Sequence, residues 1–386
     1  MHSNNISQQR LSGLSDKIEI IQVLRGIAVM MVVFFHLKGI MRPEDVLRKE
    51  FDFLFNAGAA GVDIFFIISG FIMVFVTRKS AGGFTSLKTF LIKRILRIWP
   101  LYIIGTLAYA MLIARYNFNS DILLQIIKSI FFIPLSYNKP PFFGYAYLNI
   151  GWSLNYEVYF YILIAISLLS GKYRWYIFTV LTITTLILVP LIFGYLTPHP
   201  LKTVNYGSLL LNLITNPIIW EFVYGVIIGL FYINPKFNRF FNSIFRIKIV
   251  TVTVVVLATW KYLSGFYANH GPFNWGLGMA ILFLALIFYT ADKSFAYPSW
   301  LVYLGDMSYS IYIWHIPVAA TIPMFFNRLA LPAFSYGTPA FLLTISLTLI
   351  VSHLSHRLLE GKLHAYLMQK LSYKKTPQSV LSSETT

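Results

Sequence analysis

Residues 18–38 read IEIIQVLRGIAVMMVVFFHLK, a run of 21 residues in which few polar side chains interrupt the apolar ones. A helix rises about 1.5 Å per residue, so about twenty residues cross a hydrocarbon core of roughly 30 Å. The run therefore predicts a membrane-spanning helix. Arg25 and His36 lie within it, and ionisable groups at membrane depth are costly enough to mark candidate functional sites.

Nine further stretches of similar character follow. The ten predicted helices comprise residues 18–38, 58–77, 90–113, 150–170, 174–194, 210–233, 247–263, 275–291, 300–324 and 335–357. The shorter apolar segment Asp121 to Leu135 predicts an interfacial or re-entrant helix. The predicted fold class is an all-α, polytopic membrane bundle. It has a polar N-terminus (1–17), a transmembrane domain (18–358) and a partly disordered tail (359–386).

Composition supports this class. Of the 386 residues, 57% are hydrophobic and 12% are charged, whereas soluble domains are about a quarter charged. The net charge of +17 fits the basic cytoplasmic loops of membrane proteins better than nucleic-acid binding. The absence of cysteine excludes disulfides, thiolate metal sites and a cysteine acyl-enzyme.

The distribution of positive charge predicts the orientation. Ten spans place both termini on one side, and with that side inside, the inner segments hold 20 of the 31 Lys and Arg residues. The outer segments hold 10, and Arg25 lies within the first helix. The positive-inside rule therefore predicts cytoplasmic termini.

Helix periodicity places Arg25 and His36 on one face of the first helix. They are eleven residues apart, which is close to three full turns and about 16 Å of rise. With the N-terminus inside, Arg25 lies in the inner half of the membrane and His36 near the outer surface.

Three other ionisable side chains share the predicted depth of His36: Asp63, Glu157 and His315, each on a different helix. Two histidines and two carboxylates can supply a general base and a partner that orients it. These residue types also suit a metal, but no two of them have a ligand spacing close in sequence, so no metal is expected. Ser308, Tyr312 and His315 form one helical stripe that predicts an acceptor path.

The inner side is basic. Lys93, Arg94 and Arg97 lie near the start of the third helix, and Arg94 and Arg97 share a face. Arginine forks suit phosphate groups. A donor with a phosphorylated head and a long thin arm, such as coenzyme A, would meet these arginines below and a base above.

Simpler explanations stay open. His36 alone is typical of an interfacial side chain, Asp63 pairs equally well with an arginine, and Arg94 and Arg97 alone are typical positive-inside anchors. Glu221 suits either a cavity or a helix contact. At the level of the whole protein, a transporter would use the same buried His, Asp and Glu residues as a relay. A structural subunit of an export assembly would tolerate the loss of His36.

At these positions the sequence resembles the membrane acyltransferase 3 family. The resemblance is carried by residues 24–36 (Arg-x10-His), 61–71, 93–100 (Arg-x-x-Arg) and 304–315, and residues 152–161 resemble the exopolysaccharide-acetylating, ExoZ-like branch. It extends from about residue 18 to 358. Each motif is loose, but the four together and in order are specific.

The resemblance implies ten helices in the bacterial inner membrane and transfer of an acetyl or other short acyl group from acyl-CoA to a glycan. It implies that His36 is catalytic with Arg25 as its companion, and that Arg94, Arg97 and the adjacent Lys93 bind the donor. We expect Glu157 or Asp63 to orient His36. The candidate substrate-binding residues are Asn155, Tyr156, Ser308, Tyr312 and His315. Expected partners are the glycan acceptor, membrane lipid and glycan-export machinery, without nucleic acid.

Overall fold

The computed structural model describes residues 18–114, 118–202, 205–291, 293 and 295–373. Regular structure in these residues is helical, and no strand occurs among them, which confirms the all-α class. In chain order the helices are α1 (Glu19–Leu37), α2 (Arg48–Phe55), α3 (Gly61–Thr77), α4 (Gly83–Ile113), α5 (Ser120–Ile130), α6 (Trp152–Leu168), α7 (Arg174–Ile183), α8 (Val189–Ile192), α9 (Leu209–Ile214), α10 (Trp220–Ile233), α11 (Pro235–Phe245), α12 (Lys248–Ser264), α13 (Leu277–Thr290), α14 (Ser299–Asp306), α15 (Ser308–Arg328), α16 (Thr338–Ser355) and α17 (His364–Tyr373). Short π-helical segments link α7 to α8, precede α13 and link α16 to α17.

All ten stretches predicted as membrane helices are helical over most of their length. In the described part of the chain, seven helical runs are long and apolar enough to cross a bilayer, and the bent pair of α10 and α11 is an eighth if it is one broken span. Helices α6 and α12, with 17 residues each, are not among these seven. The chain is therefore a multi-pass membrane protein by these criteria, and the count of ten stays a prediction.

The predicted single helix 210–233 is wrong, because the chain breaks between α9 and α10. Pro217 has no N–H to donate and disfavours a helical residue before it, so Asn216 is extended (φ −67°, ψ 128°). The Asn216 side chain then accepts a 3.0 Å hydrogen bond from the Ile218 N–H and caps the next turn. A second break, at Met307, separates α14 from α15 inside the predicted helix 300–324.

Two short helices, α2 and α11, were not predicted, and α11 turns away from α10 by 99° at Asn234 and Pro235. The predicted interfacial segment contains α5. At the C-terminal end the helix continues beyond residue 358 to Tyr373. The predictions for residues 1–17 and 374–386 concern parts of the chain outside the described residues.

Glycines bring the central helices into backbone contact. A Cβ on Gly70 of α3 would lie 2.0 Å from the Phe222 carbonyl of α10, and one on Gly225 would lie 1.9 Å from the Ile67 carbonyl. Similarly, a Cβ on Gly305 of α14 would lie 1.9 Å from the Gln22 carbonyl of α1. Small residues at such crossings are typical of packed membrane helices. The crossing of α1 and α14 sets the position of the site described next.

Candidate active site

Two histidines from distant parts of the chain meet near one end of the bundle, which we call the histidine end. The Nδ1 atom of His36 on α1 lies 3.0 Å from the Nε2 atom of His315 on α15. Their rings are stacked, with centroids 5.1 Å apart and planes inclined by 26°. His315 is completely buried, whereas His36 keeps partial exposure. The pair therefore presents His36 as its accessible member.

The hydrogen bonds around His315 determine which nitrogen of His36 is free. The Nδ1 atom of His315 lies 3.2 Å from the Ile311 carbonyl, which can only accept, so in a neutral His315 this nitrogen carries the proton. The Nε2 atom of His315 is then an acceptor, and His36 must donate to it from Nδ1. The Nε2 atom of His36 is left with its lone pair, as a general base requires.

The glycine crossing explains why these two residues meet. Gly26 and Gly305 lie on the touching faces of α1 and α14, and His36 and His315 each follow their glycine by ten residues. Although the break at Met307 lies between Gly305 and His315, α15 also packs against α1, and the two side chains meet at the same height. Helix packing thus places the pair without a loop contribution.

A cavity of about 750 Å³, a volume that includes its opening to solvent, lies between α1, α3, α4, α6 and α15. Its apolar wall includes Phe65, Phe66, Ile68 and Ile98. Its polar lining comprises Arg25, Ser69, Arg94, Arg97, Ser153, Glu157, Tyr161, Ser308, Tyr309 and Tyr312. An apolar cleft with a few convergent polar groups is the usual form of a small-molecule site.

Positive charge is concentrated at one end of this cavity, which we call the arginine end. Arg25, Arg94 and Arg97 all line it, and Glu157 is the one carboxylate in its lining among the described residues. The buried Nε atom of Arg94 has no hydrogen-bond partner, and Arg25 makes a long 3.3 Å bond to the Gln22 amide. Guanidinium groups that lack full hydrogen bonding in a cavity are suited to bind an anionic ligand.

Glu157 is held by its own helix and by α3. Its Oε1 atom accepts hydrogen bonds from the Tyr161 hydroxyl at 2.5 Å and from the Ser69 hydroxyl at 3.3 Å. It also lies close enough to Arg25 for the two charges to interact. The carboxylate therefore offsets part of the arginine charge rather than contacting the histidine pair.

Tyr312 separates the cavity from the histidines. Its ring centroid is 6.0 Å from that of His315, and its hydroxyl lies 2.8 Å from Ser153 Oγ and 3.0 Å from the Ile150 carbonyl. Phe65 packs edge-on against the same tyrosine at 6.3 Å. Tyr312 and Phe65 line the cavity and the two histidines do not, so these two rings form a partial partition between the cavity and His36.

The expectation that Glu157 or Asp63 orients His36 does not match these contacts, because His315 takes that position. Asp63 faces away from the cavity and lies 2.8 Å from His270. The shared depth predicted for Glu157 and His36 does not hold either, because Glu157 lies beside Arg25, which is about 16 Å from His36 along α1. The catalytic roles themselves stay predictions.

The other predicted site residues divide into two groups. Ser308, completely buried, and Tyr312 line the cavity. Lys93 is exposed and does not line it. Asn155 and Tyr156 are buried away from it, and the Tyr156 hydroxyl donates to the Pro141 carbonyl at 2.7 Å, which indicates a packing role.

Sequence reasoning missed Tyr161, Ser153 and His270. Helix periodicity could have identified Tyr161, because it follows Glu157 by four residues and so shares its helix face. His270 lies in the loop between α12 and α13, where neither periodicity nor depth gives a signal.

Comparison with known proteins identifies relatives over most of the chain. A family model described as an acyltransferase domain matches residues 18–353. The exopolysaccharide production protein ExoZ of Rhizobium meliloti (strain 1021) is 31% identical over 273 residues, covering 68% of this chain and 76% of ExoZ.

Two longer relatives are also similar. A Staphylococcus aureus (strain COL) protein provisionally named as an O-acetyltransferase is 26% identical, over 87% of this chain and 56% of its own length. A Bacillus subtilis (strain 168) protein, YrhL, provisionally named as a peptidoglycan O-acetyltransferase, is 24% identical over 87% of this chain and 53% of its own length. The chain thus spans about half the length of these two. No solved structure matches.

Proposed function

Because the chain belongs to the acyltransferase 3 family, we propose that it is a membrane O-acetyltransferase. In this proposal it transfers an acetyl or other short acyl group from acyl-CoA to a hydroxyl of a cell-envelope or exported polysaccharide. The relatives named for O-acetylation and for exopolysaccharide production support the reaction and the acceptor class.

The observation that carries the proposal is the cavity with three arginines at one end and the histidine pair just beyond the other. Arg25 and His36 are about 16 Å apart along α1. Phosphates of coenzyme A at Arg94 and Arg97 would leave its extended arm to follow the cavity toward Tyr312. The charged head and the uncharged arm of coenzyme A match a lining that has arginines at one end and an apolar wall.

The proposed chemistry is direct transfer. The acceptor hydroxyl gives its proton to Nε2 of His36 as its oxygen attacks the thioester carbonyl carbon. The carbon–sulfur bond then breaks, and the proton passes from His36 to the departing sulfur, so that coenzyme A leaves as a thiol. His315 keeps Nδ1 of His36 engaged as a donor and thereby keeps Nε2 available. The step needs no further co-reactant.

We propose ten spans with both termini in the cytoplasm and a location in the bacterial inner membrane. The twofold excess of Lys and Arg in the inner segments supports this orientation. It would place Arg94 and Arg97 toward cytoplasmic acyl-CoA and His36 toward the exported glycan. The two sides of the reaction would then be served by opposite ends of one cavity.

The test combines donor binding with a cellular readout. Purified protein in detergent is titrated with acetyl-CoA, and O-acetyl groups on the surface polysaccharide are measured in cells carrying wild type or His36→Ala at equal protein level. We expect acetyl-CoA binding to both proteins and loss of O-acetyl groups with the variant. A wild-type protein that does not bind acetyl-CoA, or unchanged acetylation with His36→Ala, would contradict the proposal. Absent donor binding would favour a transporter.

A further inference from the structure

A second polar cluster lies on the opposite face of α3 from the cavity. Asp63 of α3 and Glu221 of α10 are both completely buried. Asp63 Oδ2 lies 2.8 Å from Nδ1 of His270, and Glu221 Oε1 accepts a 2.8 Å hydrogen bond from the Gly271 N–H. The two carboxyl groups thus hold consecutive residues of the loop between α12 and α13.

The two carboxyl groups are also neighbours of each other. Asp63 Oδ1 and Glu221 Oε2 are buried without a hydrogen-bond partner, and the two side chains are close enough to interact. Two carboxylates in contact inside a bundle cannot both be charged, and a single proton between these oxygens satisfies both.

The hydrogen bonds favour Glu221 as the carrier of such a proton. Asp63 already receives the Nδ1–H of His270, and the ammonium of Lys261, which donates to the Asn274 carbonyl at 2.5 Å, lies nearby. Glu221 has a single backbone N–H as its other partner. The resulting chain runs from the acid O–H of Glu221 to the Asp63 carboxylate, which in turn holds His270.

This chain of hydrogen bonds holds His270 so that Nε2 is directed away from Asp63. Among the described residues, no hydrogen-bond partner reaches Nε2, and the side chain keeps 8% exposure. The ring is surrounded edge-to-face by Trp275 at 5.2 Å, Trp152 at 5.4 Å and Phe142 at 6.1 Å. Phe142 is half-buried and stacks on Tyr145 at 4.7 Å.

The loop that carries Phe142 has an unusual backbone. Between α5 and α6, four residues other than glycine have positive φ: Phe132, Lys139, Phe143 and Tyr145. Such conformations cost free energy and are concentrated at ligand-binding segments. Together with the oriented imidazole, they point to a binding role for this loop.

We propose that His270 and the half-buried ring of Phe142 form the subsite for a sugar ring of the acceptor glycan. Nε2 of His270 would accept a hydrogen bond from a sugar hydroxyl, while the Phe142 ring packs against the C–H face of the sugar. Trp152 precedes Ser153, which bonds Tyr312 beside the histidine pair, so the subsite adjoins the proposed reaction centre. This inference rests on the proposed O-acetyltransferase function.

A metal is a poor alternative occupant, because no group of three or more His, Asp or Glu residues in the described part of the chain is arranged to hold one. The main alternative is a purely structural tie that fastens the loop after α12 to α3 and α10. The experiment must therefore separate acceptor binding from folding.

The test uses purified full-length protein, acetyl-CoA, and oligosaccharides released from the cell's own surface polysaccharide and freed of O-acetyl groups with mild base. We expect His270→Gln and Phe142→Leu to raise the acceptor KM at least tenfold, with acetyl-CoA affinity unchanged. His199→Gln, which alters an exposed histidine, is the matched control. Acceptor KM values equal to wild type in both subsite variants would overturn the inference.

The Glu221 proton provides an independent readout. Glu221→Gln keeps a donor toward Asp63 and should retain the wild-type acceptor KM, whereas Glu221→Ala should raise it. Infrared difference spectra should show the C=O band of a protonated carboxylic acid that disappears in Glu221→Gln. Absence of that band in wild type would overturn the proton assignment. A wild-type enzyme unable to acetylate the oligosaccharides would instead contradict the proposed function.

Discussion

His36 and His315 are 279 positions apart in sequence, yet their side chains meet at 3.0 Å, from Nδ1 of the first to Nε2 of the second. The close backbone approach at Gly26 and Gly305 positions the helices, and the Ile311 carbonyl orients the His315 ring. The two histidines thus have different roles: His315 is buried and defines a proton position, and His36, which is partly exposed, keeps its second nitrogen unprotonated.

The pair predicts a graded effect of substitutions at His315. A glutamine can still accept the Nδ1–H of His36 through its amide oxygen, whereas leucine cannot. We expect His315→Leu to lower kcat by between about tenfold and about 10⁴-fold, the range seen when a partner that orients a histidine is lost. His315→Gln should retain more activity. The measurement is release of coenzyme A from acetyl-CoA in the presence of acceptor.

The affinity for acetyl-CoA serves as the folding control for the two His315 variants, because His315 does not line the cavity. Both variants should bind acetyl-CoA as wild type does. Equal kcat values for His315→Leu and wild type would remove His315 from the mechanism.

A second prediction concerns the arginine end. Arg94→Gln and Arg97→Gln should each weaken acetyl-CoA binding by between about 10-fold and about 100-fold, because a hydrogen bond to a charged group contributes about 1.5–3 kcal/mol. Lys93→Gln is the matched control, since Lys93 is exposed and does not line the cavity. Titration calorimetry in detergent measures all three. Equal losses for Lys93→Gln and the arginine variants would point to a general effect of surface charge.

The sequence was sufficient for the parts of the site that depend on helix periodicity. Arg25 and His36 share a face because eleven residues are close to three turns, and Arg94 and Arg97 lie together because they are three apart. Both arginines line the cavity, as do Ser308 and Tyr312, whereas His315, the third member of the predicted stripe, contacts His36 instead. These relations are local to one helix and so can be derived without knowledge of its neighbours.

Side-chain directions that depend on contacts between helices could not be predicted from the sequence. Asp63 and Glu157 have the predicted residue types, but α3 directs Asp63 toward α10 and the loop after α12, and α6 directs Glu157 into the cavity. The rotation of a helix about its axis is set by contacts such as those of Gly70 and Gly225, which one sequence does not reveal. His270 belongs to a loop, whose path periodicity cannot predict.

The glycine crossing predicts a sensitive position outside the cavity. A Cβ on Gly305 would lie 1.9 Å from the Gln22 carbonyl, so Gly305→Ala must push α14 away from α1. We expect a loss of about 1–3 kcal/mol of stability and a decrease in kcat as the histidines separate. Thermal unfolding in detergent and coenzyme A release report the two effects. Gly39→Ala is the control, because no atom lies within 4 Å of its added Cβ, and wild-type behaviour of Gly305→Ala would refute the tight crossing.

The partition at Tyr312 predicts a change in reaction outcome rather than in rate alone. Its ring lies between the cavity and His315, so removing it in Tyr312→Ala should widen the passage from the cavity to His36 and admit water beside the thioester. We expect acetyl-CoA hydrolysis without acceptor to rise several-fold while transfer to the glycan falls. Tyr312→Phe keeps the ring and should hydrolyse acetyl-CoA as slowly as wild type, losing only its bonds to Ser153 and the Ile150 carbonyl, each worth about 0.5–1.5 kcal/mol. Because the admitted water needs a base, the gain should vanish in Tyr312→Ala combined with His36→Ala. A gain that persists in the double variant would mean that another group activates the water, and no gain in a folded Tyr312→Ala would mean that the ring is not the barrier.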